Sequence, residues 1–127
     1  MASHEMHMRK YRMFLRDAQN GNNSIPTRIE AYFQAAFHLI DAVAALKDLH
    51  INRHRRVRRI LESNPELFEE DTELVWRSFQ IIENQIRPGQ TYGGRIDGEA
   101  LERTRELFEK IEKACLKRIP RRGGEVT

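Results

Sequence analysis

The chain reads as an all-α protein, an up-and-down four-helix bundle with one additional short helix. Two observations predict that class. No stretch alternates apolar and polar residues with period two, whereas apolar residues recur at three- and four-residue spacings along four long segments. The turn-forming clusters Asn20-Gly21-Asn22-Asn23 and Pro88-Gly89-Gln90-Thr91-Tyr92-Gly93-Gly94 lie between those segments, where they join helices rather than strands.

The first helix is expected within residues 1–19, where Met6, Met13, Phe14 and Ala18 are the apolar positions, interleaved with Arg9, Lys10, Arg12 and Arg16. Ser24 then caps the second helix, and Pro26 stands in its first turn, where a missing N–H costs little. Residues 25–49 contain no Gly. Stepping round this helix places Ile29, Tyr32, Phe33, Ala36, Phe37, Ile40, Val43 and Ala44 on one broad core face. The other side is a stripe of small residues, Ala31, Ala35, Ala42 and Ala45, with His38 among them. Only Glu30, Gln34, Asp41 and Asp48 look made for water. A helix apolar nearly all round is expected to be buried on two sides. One side would pack on its own chain, and the alanine side on a close-packed helix for which a second subunit is a candidate.

Residues 50–63, HINRHRRVRRILES, predict the short helix, with Asn52 as N-cap and Val57, Ile60 and Leu61 as its apolar face. Arg53, Arg55 and Arg56 crowd its start. They are either solvated or paired with acidic residues, or they hold a phosphate. Asn64-Pro65-Glu66 reads as the start of a further helix. Leu67 and Phe68 open its apolar pattern, which continues through Val75, Phe79, Ile82 and Ile86 with Trp76 beside it. Pro88 disfavours helical geometry in the residue before it, so this helix is expected to end near Arg87. Asp97 caps the last helix, which runs to about Lys117 with Leu101, Phe108, Ile111 and Cys115 inward. Its outward pairs are Glu106/Lys110 and Glu109/Lys113. Residues 1–23 thus form an N-terminal helix and loop belonging to the bundle, 24–118 its core, and 119–127 a tail.

A length of 127 residues suits one domain with a real core. The lone cysteine, Cys115, rules out an intrachain disulfide and reads as a small buried hydrophobe. Nothing resembles a signal peptide or an 18-residue apolar span, so a cytoplasmic protein with no membrane contact is expected. The formal charge of +3 is uneven. Residues 1–61 hold 11 Lys/Arg against 5 Asp/Glu, and residues 62–127 hold 11 against 14. A basic first half favours an anionic partner.

Several side chains can carry chemistry. Asp41, one turn beyond His38, is placed to orient that ring for proton transfer, unless His38 is simply hydrogen-bonded across a helix interface. His50 and His54 lack a cysteine nearby and make a poor zinc site. If Met1 is removed, the new amine with Ser3 and His4 has the spacing of a square-planar Cu(II) or Ni(II) site, although a frayed terminus is the plainer reading. Arg28 and Tyr32 lie one turn apart and either join Arg87 at a cleft or serve packing. No cofactor and no metal are called for.

Three motifs in order resemble the HEPN family, specifically its small stand-alone prokaryotic members. Residues 28–38, Arg28-Ile29-Glu30-Ala31-Tyr32-Phe33-Gln34-Ala35-Ala36-Phe37-His38, are similar to that family's R-x-x-Y-Y-A-A-F-H helix. His54-Arg55-Arg56-Val57 resembles its H-x-x-V, and Arg87-Pro88-Gly89-Gln90-Thr91-Tyr92-Gly93 its R-x-x-A-D-Y-G. The resemblance implies a homodimer through the second helix that binds single-stranded RNA or a nucleotide. It also implies a small nucleotidyltransferase as partner in a toxin-antitoxin-like pair. Its phosphate-binding residues here would be Arg28, Arg53, His54, Arg55, Arg56, Arg87 and Tyr92. Many members cut RNA without a metal, using an Arg followed four to six residues later by His. In this chain Arg87 matches the arginine, the residue five on is Tyr92, and no His follows His54. The catalytic candidates are therefore Arg87, Tyr92 and His38. The alternative function is a metal-independent endoribonuclease in which Arg87 works with a non-standard proton-transfer residue, His38 or His54.

Overall fold

Ser3 opens the first helix by accepting the backbone N–H of Met6, and α1 then runs over His4–Gln19. The computed structural model describes residues 3–91 and 98–120. The inward face of α1 is not the expected one. His7, Tyr11 and Ala18 are buried with Phe14 half-buried between them, at spacings of four, three and four, while Met6 and Met13 face solvent. Two polar rings can line that face because each finds a partner: the Tyr11 hydroxyl donates to Glu112 Oε2 at 2.6 Å, and His7 meets His38 and Asp41.

Ser24 caps α2 (Ile25–Ala45) by accepting the Thr27 N–H, with Pro26 in the first turn as expected. The helix is dry on both sides. Tyr32 packs on Phe108, and Phe33 and Phe37 on Phe79. The alanine side is covered by α1 of the same chain: His4 Nδ1 donates to the Ala42 carbonyl at 2.8 Å, His38 touches His7 and stacks on Phe14, and the Arg28 guanidinium reaches the Ala18 carbonyl. Ala31 and Ala35 lie in register with these and are buried. The stripe on which a second subunit was expected is therefore filled from within.

The helix stops four residues short of the expected end. Leu49 N–H closes back on the Ala44 carbonyl at 3.0 Å, and Asp48 turns into the left-handed region with φ 58°. Asn52 is likewise left-handed (φ 64°) and caps nothing; a 3₁₀ turn, His54–Arg56, leads into α3 (Val57–Ser63) with Arg53 before it. Val57 and Leu61 are buried and Ile60 half-buried. Asn64 Nδ2 donates to the Ile60 carbonyl, ending α3 rather than starting the next helix. Residues 65–68 form turns that bury Leu67 and Phe68, and after a 3₁₀ turn over Glu69–Asp71 the helix α4 occupies Thr72–Ile81.

Pro88 does not end that helix. A π-turn over Ile82–Ile86, in which Arg87 N–H reaches the Ile82 carbonyl, joins α4 to α5 (Arg87–Thr91). A proline has no N–H for the helix ladder and its ring crowds the carbonyl four residues back. The wider turn just before it absorbs both, so the helix bends instead of breaking. The last helix, α6, covers Gly98–Leu116 with Thr104, Leu107, Phe108, Ile111, Ala114 and Cys115 buried; its expected cap, Asp97, lies outside the described residues. Glu106, Lys110, Glu109 and Lys113 do face outward, but Arg105 takes the pairing, with Glu102 and with Glu109 at 3.1 Å. Burial pushes the Cys115 thiol up, which keeps it protonated and inert. Among the described residues there is no strand, and no helix is long and apolar enough to cross a membrane. The class is all-α, a helical bundle around α2.

Candidate functional site

The bend after α4 and the 3₁₀ turn before α3 face each other, and between them opens a pocket of about 390 Å³ lined by His54, Arg55, Gln80, Glu83, Asn84 and Arg87. Two of these side chains rest on Phe33 of α2. The Arg87 guanidinium lies 3.8 Å above that ring, and the His54 imidazole meets it edge-on at 5.3 Å. Arg87 Nε donates to Glu30 Oε1 at 2.9 Å, while Gln34 donates to the other oxygen of Glu30 at 2.9 Å. One edge of the guanidinium is thus fixed on α2, and its Nη groups have no hydrogen-bond partner among the described residues.

His54 is held by a carboxylate. Its Nδ1 donates to Glu83 Oε2, and the Glu83 side chain is nearly buried. With Nδ1 committed to Glu83, Nε2 is the ring nitrogen left to meet a ligand on the edge away from Glu83. Glu30 is paired with Arg87, and Glu83 with the imidazole. The positive field comes from Arg53, Arg55, Arg56 and Arg59, all exposed and none ion-paired to a described residue. The acidic run Glu69-Glu70-Asp71 is occupied elsewhere, by Lys117 and Arg118. An arrangement of a clamped guanidinium, an oriented imidazole and unpaired arginines is suited to hold a phosphate oxygen and to move a proton beside it.

Of the residues singled out from the sequence, His54, Arg55 and Arg87 converge here. Arg53 and Arg56 flank the pocket. Arg28 does not join it, because its Nε donates to the Ala18 carbonyl at 2.8 Å and closes the end of α1. Tyr32 is core, and burial raises its hydroxyl pKa. Tyr92 lies outside the described residues. Glu83, Gln80, Asn84 and Glu30 had not been singled out as site residues. The available signal was the spacing of Gln80, Asn84 and Arg87 at four and three, a polar stripe alongside the apolar one.

His38 belongs to a different cluster on the α1 side of α2. Its Nδ1 lies 3.1 Å from His7 Nδ1, His7 Nε2 lies 3.4 Å from Asp41 Oδ2, and Asp41 Oδ1 accepts the Ile51 N–H at 3.1 Å. Asp41 therefore orients His7 rather than His38. Burial, with the neighbouring His7 and Lys10 charges, holds His38 down at about 4. Burial also lowers His7, assisted by Lys10, His50 and His4 and opposed by Asp41. Both rings are neutral at pH 7, and one proton arrangement satisfies them: His7 donates from Nε2 toward Asp41 and accepts at Nδ1 from His38. His4 has committed its Nδ1 to the Ala42 carbonyl. No three His, Cys, Asp or Glu side chains among the described residues are grouped to hold a metal.

No protein-family model, no curated protein and no solved structure matches this chain.

Proposed function

We propose that the protein is an RNA- or nucleotide-binding bundle of the HEPN kind, and that its phosphate site is the pocket of His54, Arg55 and Arg87. One observation carries the reading: side chains 29 and 32 positions apart in sequence, His54 with Glu83 and Arg55 beside Arg87, meet around a single opening onto which Arg55 and the Nη groups of Arg87 present donors with no partner among the described residues. Single-stranded oligoribonucleotide binding, followed by anisotropy of a labelled hexamer, tests it. The Arg55→Ala, Arg56→Ala, Arg87→Ala triple variant is expected to bind at least tenfold more weakly, and wild-type affinity is expected to fall steeply with salt. Retained affinity in the triple variant defeats the reading.

The His54–Glu83 pair favours a second reading, metal-independent endoribonuclease action. His54 Nε2 takes the proton of a ribose 2′-hydroxyl, and the 2′-oxygen bonds to the adjacent phosphorus. The bond to the 5′-oxygen breaks, and that oxygen takes a proton from water. The products are a 2′,3′-cyclic phosphate and a 5′-hydroxyl. Arg87 holds the non-bridging oxygens. Cleavage in EDTA that is lost in His54→Ala and kept in His38→Ala supports this role; equal cleavage by all three proteins points to a contaminant.

A homodimer through α2, a small nucleotidyltransferase partner and a cytoplasmic setting complete the proposal. Since α1 covers the alanine stripe, contact between copies on α2 falls to the Glu30, Gln34 and Phe37 strip beside the pocket. Sedimentation of a Gln34→Arg variant checks it: a dimer that persists unchanged uses another face.

A further inference from the structure

A second pocket, of about 410 Å³, lies beside the first and shares Gln80 and Asn84 with it; Arg58, Trp76 and Gln85 complete its working wall. We infer that the two are one track for single-stranded RNA, with a phosphate held between Arg55 and Arg87 and the neighbouring base received on Arg58 and read by Gln80, Asn84 and Gln85. This rests on the phosphate reading of the first pocket.

The second pocket differs from the first in chemistry. Trp76 is only 7% exposed, and the Arg58 guanidinium covers it at 4.0 Å, with Arg77 at 5.7 Å on the same ring. Arg58 Nε also donates to Glu62 at 3.3 Å, and Arg77 donates to Glu73 at 2.6 Å. Arg58 is thereby held over the indole with half of its side chain open to solvent (49% exposed), and a guanidinium so placed can serve as a platform on which a base stacks. Next to it stand three neutral amides. None of Gln80, Asn84 and Gln85 has a side-chain hydrogen bond to a described residue. Each offers a donor and an acceptor side by side, the pattern that pairs with a base edge.

The order of these groups matches a strand. Arg77, Gln80, Asn84 and Arg87 follow one another at three, four and three residues along one line of the bent helix, about 15 Å at 1.5 Å per residue. That length exceeds one phosphate and its ribose. Arginine stands at both ends and amides in the middle, so backbone charge is held at the ends and a base between them. The Watson–Crick edges are open to these amides only when the bases are unpaired, which selects single strands over duplex.

Trp76 is the chain's one tryptophan, so its fluorescence reports this subsite alone. The experiment compares a hexaribonucleotide, the same sequence as a duplex, and inorganic polyphosphate, each titrated into wild type, an Arg58→Lys, Gln85→Ala double variant, and an Arg55→Ala, Arg87→Ala double variant. The hexanucleotide is expected to quench Trp76, and polyphosphate and duplex are not. The Arg58→Lys, Gln85→Ala change keeps the charge and removes the platform and one amide; it is expected to weaken hexanucleotide binding about tenfold and leave polyphosphate affinity as in wild type. Unchanged hexanucleotide affinity in that variant overturns the track, and so does duplex binding that quenches equally. If the Arg55→Ala, Arg87→Ala variant meanwhile binds RNA weakly, the phosphate reading stands without the track. If that variant binds RNA as wild type does, the phosphate reading falls and takes the track with it.

Discussion

His38 meets His7 nitrogen to nitrogen, and two rings so placed tolerate at most one shared proton between them. Acid is therefore expected to weaken the α1–α2 contact before it reaches the carboxylates. The sign follows from the shift. His38 is held at about 4 in the folded chain and titrates near 6.5 once unfolded. Between those values the unfolded chain binds the extra proton, so stability is full above about 6.5 and declines as pH falls toward about 4. His38 is partly solvated, which trims the loss to the order of 1–2 kcal/mol. Lys10, His50 and His4 face His7 and add to it, and Asp41 opposes it. The ion pairs of Asp71 with Lys117 and Arg118 hold its pKa below the usual carboxylate range, so that contribution persists above its ordinary value and is lost only in stronger acid. Urea unfolding at pH 7, 5.5 and 4.5 should show the decline, and His38→Gln should flatten it; equal slopes in the two proteins would show that the ring pair is not its source. Little of this was legible in the sequence. His7 stands 31 positions from His38, and α1 displays His7 rather than Met6 only because a buried acceptor waits for it.

The start of α2 was readable because its cap is a local bond, Ser24 accepting the N–H three residues on. The starts expected at Asn52 and Asn64 were not met, since Asn52 caps nothing and Asn64 ends α3. Helix ends were no more legible. The stop at Ala45, the left-handed Asn52 and the passage through Pro88 are each decided by what the chain must reach next. The π-turn places Glu83 on the same side as Arg87, and Glu83 looked like an ordinary solvent residue because its partner, His54, is 29 positions away. The junction of α6 with the start of α4 shows the same dependence. Arg118 donates to Asp71 Oδ2 at 2.9 Å, to the Ala114 carbonyl at 3.0 Å and to the Phe68 carbonyl, with its guanidinium 5.5 Å from the Phe68 ring. Its side chain is 11% exposed, so its removal takes a charged donor from the Phe68 and Ala114 carbonyls and leaves Asp71 to Lys117 alone. Arg118→Ala is expected to cost about 2–3 kcal/mol, against less than about 1 kcal/mol for Lys117→Ala, whose pairs are exposed. The denaturation midpoints of the two variants decide it, and similar midpoints would show that Arg118 acts as a surface charge.

The molecule as a whole is organised by which surface covers the alanine side of α2. A stripe of small residues lets another helix approach closely but does not say whose helix it is, so the sequence left a second subunit in view. The chain covers it with α1, and the two ends of that contact are tied by bonds to backbone carbonyls, His4 to Ala42 and Arg28 to Ala18. Ala35 lies midway along the stripe and is fully buried. Replacing it with Leu inserts three carbons where no space exists, and overpacking of that kind costs about 1–3 kcal/mol. The location of the cost distinguishes the two covers. If α1 is the cover, Ala35→Leu lowers the unfolding midpoint by the same amount at every protein concentration and leaves the sedimentation coefficient of the folded protein unchanged. If a second copy packs on the stripe, the variant instead shifts toward the smaller species, and its stability loss grows on dilution because assembly contributes to stability. Equilibrium unfolding across a hundredfold concentration range, with sedimentation velocity on the same samples, is expected to give the concentration-independent result.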